Sequence, residues 1–134
     1  MRRLHHVQVA CPADGEELVR RFYGHLLGLT EVAKPAELAK RGGVWFRDTG
    51  YELHVGVEEP FTPAQKAHPA FVVDDLDELA VRLTAAGRQV TWDVDLPGLR
   101  RFHTTDPHGN RVELLTASPG GDPSPGRTGR STPG

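Results

Sequence analysis

Apolar and polar residues alternate from Leu4 to Cys11, with Val7, Val9 and Cys11 on one side and His6, Gln8 and Ala10 on the other. A period of two belongs to a strand with one packed face and one open face. The period then lengthens: Leu18, Val19, Phe22, Tyr23, Leu26 and Leu27 recur at helical spacing. A helix is therefore expected over about 16–27, with Asp14 as N-cap and Gly28 closing it. Thr30–Val32 fits a short strand, and 34–41 a loop or short helix able to cover a pocket. Val44–Arg47 and Tyr51–Val57 read as strands joined by the turn Asp48-Thr49-Gly50.

The succession then starts again. His68–Val73 reads as a strand, and Asp75 with Glu78 as the capping pair of a helix running to about Ala86. Leu76, Leu79, Ala80 and Leu83 form its inward stripe. Gln89–Val94 is a strand and Leu96-Pro97-Gly98 a turn, after which Arg100–Thr105 pairs with Asn110–Thr116 across Asp106-Pro107-His108-Gly109-Asn110. Two β-α-β-β-β modules result, at about 4–59 and 66–116, joined by a proline-marked segment at 58–66. The expected class is α+β, a single domain over 1–116. Residues 117–134 hold only Gly, Pro, Ser, Thr, Ala and charged residues, so a disordered tail is expected there.

The second module ends on a chemical problem. Glu113 lies in mid-strand between Val112 and Leu114, and a bare carboxylate is costly to bury without a cation, hydrogen bonds or water. The repeat suggests the partners. His6 and His68 open the first strand of their modules, and His54 stands four residues past Gly50 as Glu113 stands four past Gly109. From opening histidine to closing residue the modules span 48 and 45 residues (54 − 6 and 113 − 68). If the modules pack symmetrically, His6, His54, His68 and Glu113 meet on one concave surface. Such a nitrogen and oxygen set suits Zn²⁺, Ni²⁺, Fe²⁺, Mn²⁺ or Co²⁺. Glu52 shares the parity of His54 and is the alternative fourth ligand; His5 shares parity with the valines. His25 and His108 are expected at the surface. Arg101 and His103 share a strand face, as candidates to orient an anionic group of a substrate. Trp45 is a further candidate for lining the pocket, with core packing expected for large aromatics in strands such as Trp45 and Trp92.

Composition narrows the partners. A formal net charge of −2 over 134 residues gives no general attraction to nucleic acid or anionic membrane. Cys11 is the only cysteine, which excludes an intrachain disulfide and suits a reducing, cytoplasmic compartment. It shares a face with Val7 and Val9, where packing rather than nucleophilic chemistry is expected. No apolar run is long enough for a membrane span, and Met1-Arg2-Arg3 has no apolar stretch behind it.

Three stretches together resemble the vicinal oxygen chelate superfamily, which includes glyoxalase I, bleomycin-resistance proteins and extradiol dioxygenases. They are His6-Val7-Gln8-Val9 with Phe22-Tyr23 and Leu27-Gly28-Leu29, His68 to Asp77, and Asp106 to Leu114. The resemblance covers about residues 4–116 and implies a curved mixed sheet forming a cup. It also implies a divalent metal, a small substrate bound through neighbouring oxygens, and a homodimer. His6 and His68 match the ligands that open each module, Glu113 the closing carboxylate, and His54 the variable fourth position. Glu113 is also the expected catalytic base. Glyoxalase I usually has a carboxylate where this chain has His54, so the paired carboxylates of its proton transfer are incomplete here. The antibiotic-sequestering relatives usually lack the metal ligands, and a protein that sequesters a drug or natural product is the alternative expectation.

Overall fold

The computed structural model describes residues 1–93 and 98–116. The described chain divides into two compact units, one of residues 1–68 with 105–111, the other of 69–104 with 112–116.

The first unit opens with β1 (His6–Cys11), a helix that begins as α1 (Glu16–Val19) and continues as a π-helical segment over Arg20–Leu26, and β2 (Thr30–Val32). The one-turn helix α2 (Ala36–Ala39), β3 (Val44–Asp48) and β4 (Tyr51–Val57) complete it. Its sheet runs β1-β4-β3-β2, with β1 parallel to β4 and the other pairs antiparallel. The alternation read from sequence holds. Cys11, Val44, Phe46, Leu53 and Val55 are buried on the helix-facing side with Val19, Phe22 and Tyr23. Each such side chain contributes roughly 1.5–3 kcal/mol of apolar burial. Gly43 is needed where it stands, since its φ is +91° and a Cβ there would lie 2.3 Å from the Val55 carbonyl oxygen.

Two details of this helix depart from expectation. Asp14 does not cap it: with φ of +64° it is the left-handed residue of the turn in which Gly15 N donates to Pro12 O. Gly15 takes the N-cap position, and Glu16 and Glu17 face the positive end of the helix instead. Beyond Val19 the backbone widens, with Leu27 N donating to Phe22 O, five residues back. The buried side therefore narrows to Val19, Phe22 and Tyr23, while Leu18 is 45% exposed.

The second unit repeats the topology: β5 (Ala70–Val72), α3 (Leu76–Ala85), β6 (Thr91–Asp93), β7 (Arg101–Thr105) and β8 (Arg111–Leu115), with sheet order β5-β8-β7-β6 and β5 parallel to β8. Asp75 caps α3 by accepting from Glu78 N, and the expected stripe of Leu76, Leu79, Ala80 and Leu83 is buried. The Glu78 side chain pairs with Arg82 rather than returning to the cap, so only half of the capping box forms. β5 begins at Ala70, two residues later than expected, because Pro69 cannot donate to a ladder. Val94, Leu96 and Pro97 and the expected tail at 117–134 lie outside the described residues.

The repeat extends to register. Gln8 pairs with His54 across β1 and β4, and Ala70 pairs with Glu113 across β5 and β8. His6 and His68 are each two residues upstream of those pairs, so the alignment of the two modules inferred from spacing is reproduced in their hydrogen-bond ladders. Among the described residues, no helix is long and apolar enough to cross a membrane.

Candidate functional site

In the first unit the face of the sheet opposite the core carries a row of parallel rings. His54 is 5% exposed and lies between Trp45, stacked at 3.9 Å and 3°, and His6, stacked at 4.2 Å and 14°. The cross-strand pairing of Trp45 with His54 puts these two rings side by side. Glu52 Oε1 lies 2.9 Å from His54 Nε2, and Glu52 Oε2 lies 3.6 Å from Arg47. The His54 contact first, and Arg47 after it, hold the Glu52 carboxyl below its ordinary pKa. Glu52 is thus the hydrogen-bond partner of His54 on the same strand face. His5 is not turned away from this group, since its Nδ1 lies 2.9 Å from that of His6.

In the second unit the corresponding face is ionic. Glu113 is 7% exposed, and its Oε2 accepts from Arg101 Nη1 at 3.1 Å. Arg101 also donates to Asp93 at 2.8 Å, and His103 Nε2 lies 3.6 Å from Glu113 Oε1. The cation that offsets the buried carboxylate is therefore Arg101, a residue that the sequence suggested for a substrate anion. Glu113 above all, then Asp93, raises the guanidinium pKa further. With two carboxylates on it, Arg101 has little charge left to attract a third.

His68 immediately precedes Pro69, whose carbonyl oxygen accepts from Glu113 N at 3.0 Å. This local pairing brings ligand atoms of His68, His103 and Glu113 all within 4.8 Å of one another. His68 Nδ1 lies 2.9 Å from the Lys66 carbonyl oxygen, an acceptor, so Nδ1 is the donor of that pair. A histidine ligand in a metal site is oriented in the same way. Two imidazoles and a carboxylate suit the borderline divalent ions, whose bonds to such ligands are about 2.0–2.2 Å. The three side chains fit an ion after a modest inward movement. Sequence reasoning proposed two of them as ligands and placed the third, His103, with the substrate. Parity on β7 put His103 on the right face, but the hairpin register was needed to bring it beside Glu113.

Other expectations changed. Trp45 is half-buried on the ring-bearing face rather than in the core. Trp92 is 41% exposed, edge-on to Phe102 with the Arg100 guanidinium 4.7 Å above its ring. His108 is not a surface residue: it is half-buried, with Nε2 3.0 Å from Gly15 O and its ring against Phe61. His25 is exposed, as expected. Cys11 is buried, and burial pushes its thiol up to about 11, so it is protonated at neutral pH and no nucleophile.

The profile of the glyoxalase-like domain family matches residues 8–115. Among solved structures, a glyoxalase family protein from Bacillus anthracis is 46% identical, with a TM-score of 0.83 over 87% of this chain and 95% of that one. A glyoxalase/dioxygenase from Nostoc punctiforme is 23% identical, with a TM-score of 0.73 over 88% and 92%. The fosfomycin resistance protein FosX from Listeria monocytogenes is 15% identical, with a TM-score of 0.71 over 90% and 97%. These last two likenesses show the fold alone. No curated protein matches the chain.

Proposed function

The chain belongs to the glyoxalase-like domain family, and from that premise we propose that it is a metal-dependent enzyme acting on a small, oxygen-rich substrate. The observation that carries this reading is the convergence of His68, His103 and Glu113, with His68 oriented by its Nδ1 contact to the Lys66 carbonyl oxygen. His68 and Glu113 would hold the ion, with His103 as a further ligand; His6 and His54 are carried in the proposal as a pair. Zn²⁺, Ni²⁺, Fe²⁺, Mn²⁺ and Co²⁺ all suit this donor set. A bound divalent ion supplies Lewis-acid stabilisation of the charge that develops on neighbouring substrate oxygens. Glu113 would serve either as a ligand or as the base that takes a substrate proton. Arg101 holds one Glu113 oxygen in place through a charge-assisted hydrogen bond, while Trp45 contributes apolar surface beside His54. The reaction is of lyase, isomerase or dioxygenase type, in a cytoplasmic homodimer.

Metal analysis of protein purified without chelator, then reconstituted with each ion, tests the proposal. About one ion per chain is expected, with affinity falling more than roughly tenfold in His68→Ala and Glu113→Gln. Failure of every ion to bind refutes it. One observation favours a second reading, a metal-free protein that sequesters a drug or natural product: Arg101 already compensates Glu113. On that reading His6→Ala and Glu113→Ala leave ligand affinity unchanged.

A further inference from the structure

A pocket of about 470 Å³ opens in the first unit beside the ring-bearing face, lined by Arg3, His5, Arg47, Asp48, Tyr51 and Glu52 among others. Its formal charges nearly cancel, but its acids and bases are not equally committed. Asp48 Oδ1 accepts from Thr49 N at 2.8 Å, and its Oδ2 lies 3.3 Å from the Tyr51 hydroxyl. Burial, then Asp48, pushes the Tyr51 phenol up to about 12, so it stays a neutral donor. Glu52 is engaged by His54 at 2.9 Å. Both carboxylates are thus occupied by local partners.

Among the described residues, the guanidinium groups are held less firmly. Arg47 meets Glu52 only at 3.6 Å with its side chain 61% exposed, and Arg3 is exposed at the pocket wall. A long, exposed ion pair contributes little, so Arg47 can turn to a better acceptor at small cost. The uncommitted capacity of the pocket is therefore cationic, planar and rich in N–H donors, with the His5 ring beside it. Guanidinium groups meet carboxylates and phosphates through paired, charge-assisted hydrogen bonds.

We infer that this pocket binds an oxyanion, a carboxylate or phosphate group, through Arg3 and Arg47. Glu52 joins the pocket to His54, so the anion site adjoins the ring-bearing face of the same unit, and it stands independently of the enzyme reading above. Arg101, by contrast, is engaged by its own carboxylates, Glu113 and Asp93.

The experiment is an amide-resolved NMR titration of the full-length, metal-free protein at low ionic strength with succinate and, separately, inorganic phosphate, using chloride as control. Saturable shifts at His5, Arg47, Tyr51 and Glu52 are expected. Affinity should fall roughly three- to tenfold in Arg47→Gln and in Arg3→Gln, and rise in Glu52→Gln, which removes a competing charge. Tighter binding of succinate identifies a carboxylate ligand, and tighter binding of phosphate a phosphate ligand. Shifts that track chloride equally, that do not saturate, or that persist unchanged in the double arginine variant overturn the inference. Because no metal is present, failure here leaves the metal proposal standing, and failure of metal binding leaves this one standing.

Discussion

The two sheets share one topology and one strand register, yet their open faces solve different problems. On the first, His54 is held by stacking between Trp45 and His6, with Glu52 at its edge. On the second, the register-equivalent residue Glu113 is held by Arg101 and His103. An imidazole can be packed between rings with one hydrogen bond, but a carboxylate out of water needs a cation or several hydrogen bonds, and Glu113 takes the cation. The scaffold fixes where the side chain stands; its chemistry decides which neighbours must surround it.

The hairpin turns differ in the same spirit. Both run from an aspartate to a glycine with positive φ, Gly50 at +86° and Gly109 at +96°. Asp48 is exposed and serves its own turn. Asp106 is 1% exposed and accepts from Tyr23 Oη, His108 N, Asn110 N and Asn110 Nδ2. Asn110 in turn donates to Ala10 O and accepts from Ala64 N, so the turn forms part of the first unit. Burial and the adjoining Asp106 raise the Tyr23 phenol well above its usual range, leaving it a permanent donor.

Asp106→Ala is the substitution expected to separate the turns most. It strands buried donors and should cost about 3–5 kcal/mol in urea unfolding, against less than about 1 kcal/mol for Asp48→Ala. Equal losses would show that the second turn owes nothing to burial.

The next contrast concerns the faces. Arg101→Met removes the cation from Glu113 and Asp93, so the melting temperature of metal-free protein should fall, and added zinc should recover most of the loss. His54→Asn, on the ring face, should show no such zinc-dependent recovery of stability. Recovery in both variants, or in neither, would erase the distinction between an ionic and a stacked face.

The smallest effect is electrostatic. Glu52 has a folded pKa held below its ordinary value of 4.5, so the stability it contributes is present above pH 4.5 and is lost as pH falls through the lower, folded value. Glu52→Gln should flatten the acid limb of melting temperature against pH below about 4.5, without changing the plateau near neutrality. An unchanged acid limb would assign the low carboxyl pKa no part in folding.

The alternation of Val7, Val9 and Cys11, the stripe of α3 and the repeated turn chemistry were enough to read α+β and two β-α-β-β-β modules. Those features are local: a strand turns over every second residue whatever it pairs with, and Asp75 caps its helix through contacts three residues away. What lay beyond reach depended on neighbours distant in sequence. The sequence could not tell that Arg101 is spent on Glu113 and Asp93, that His108 reaches Gly15, or that Asp14 belongs to a turn rather than a cap. Residue type sets what a side chain can offer, but only the tertiary structure decides which acceptor it meets. Charge and hydrogen bonding act over a few ångströms of space, irrespective of separation along the chain.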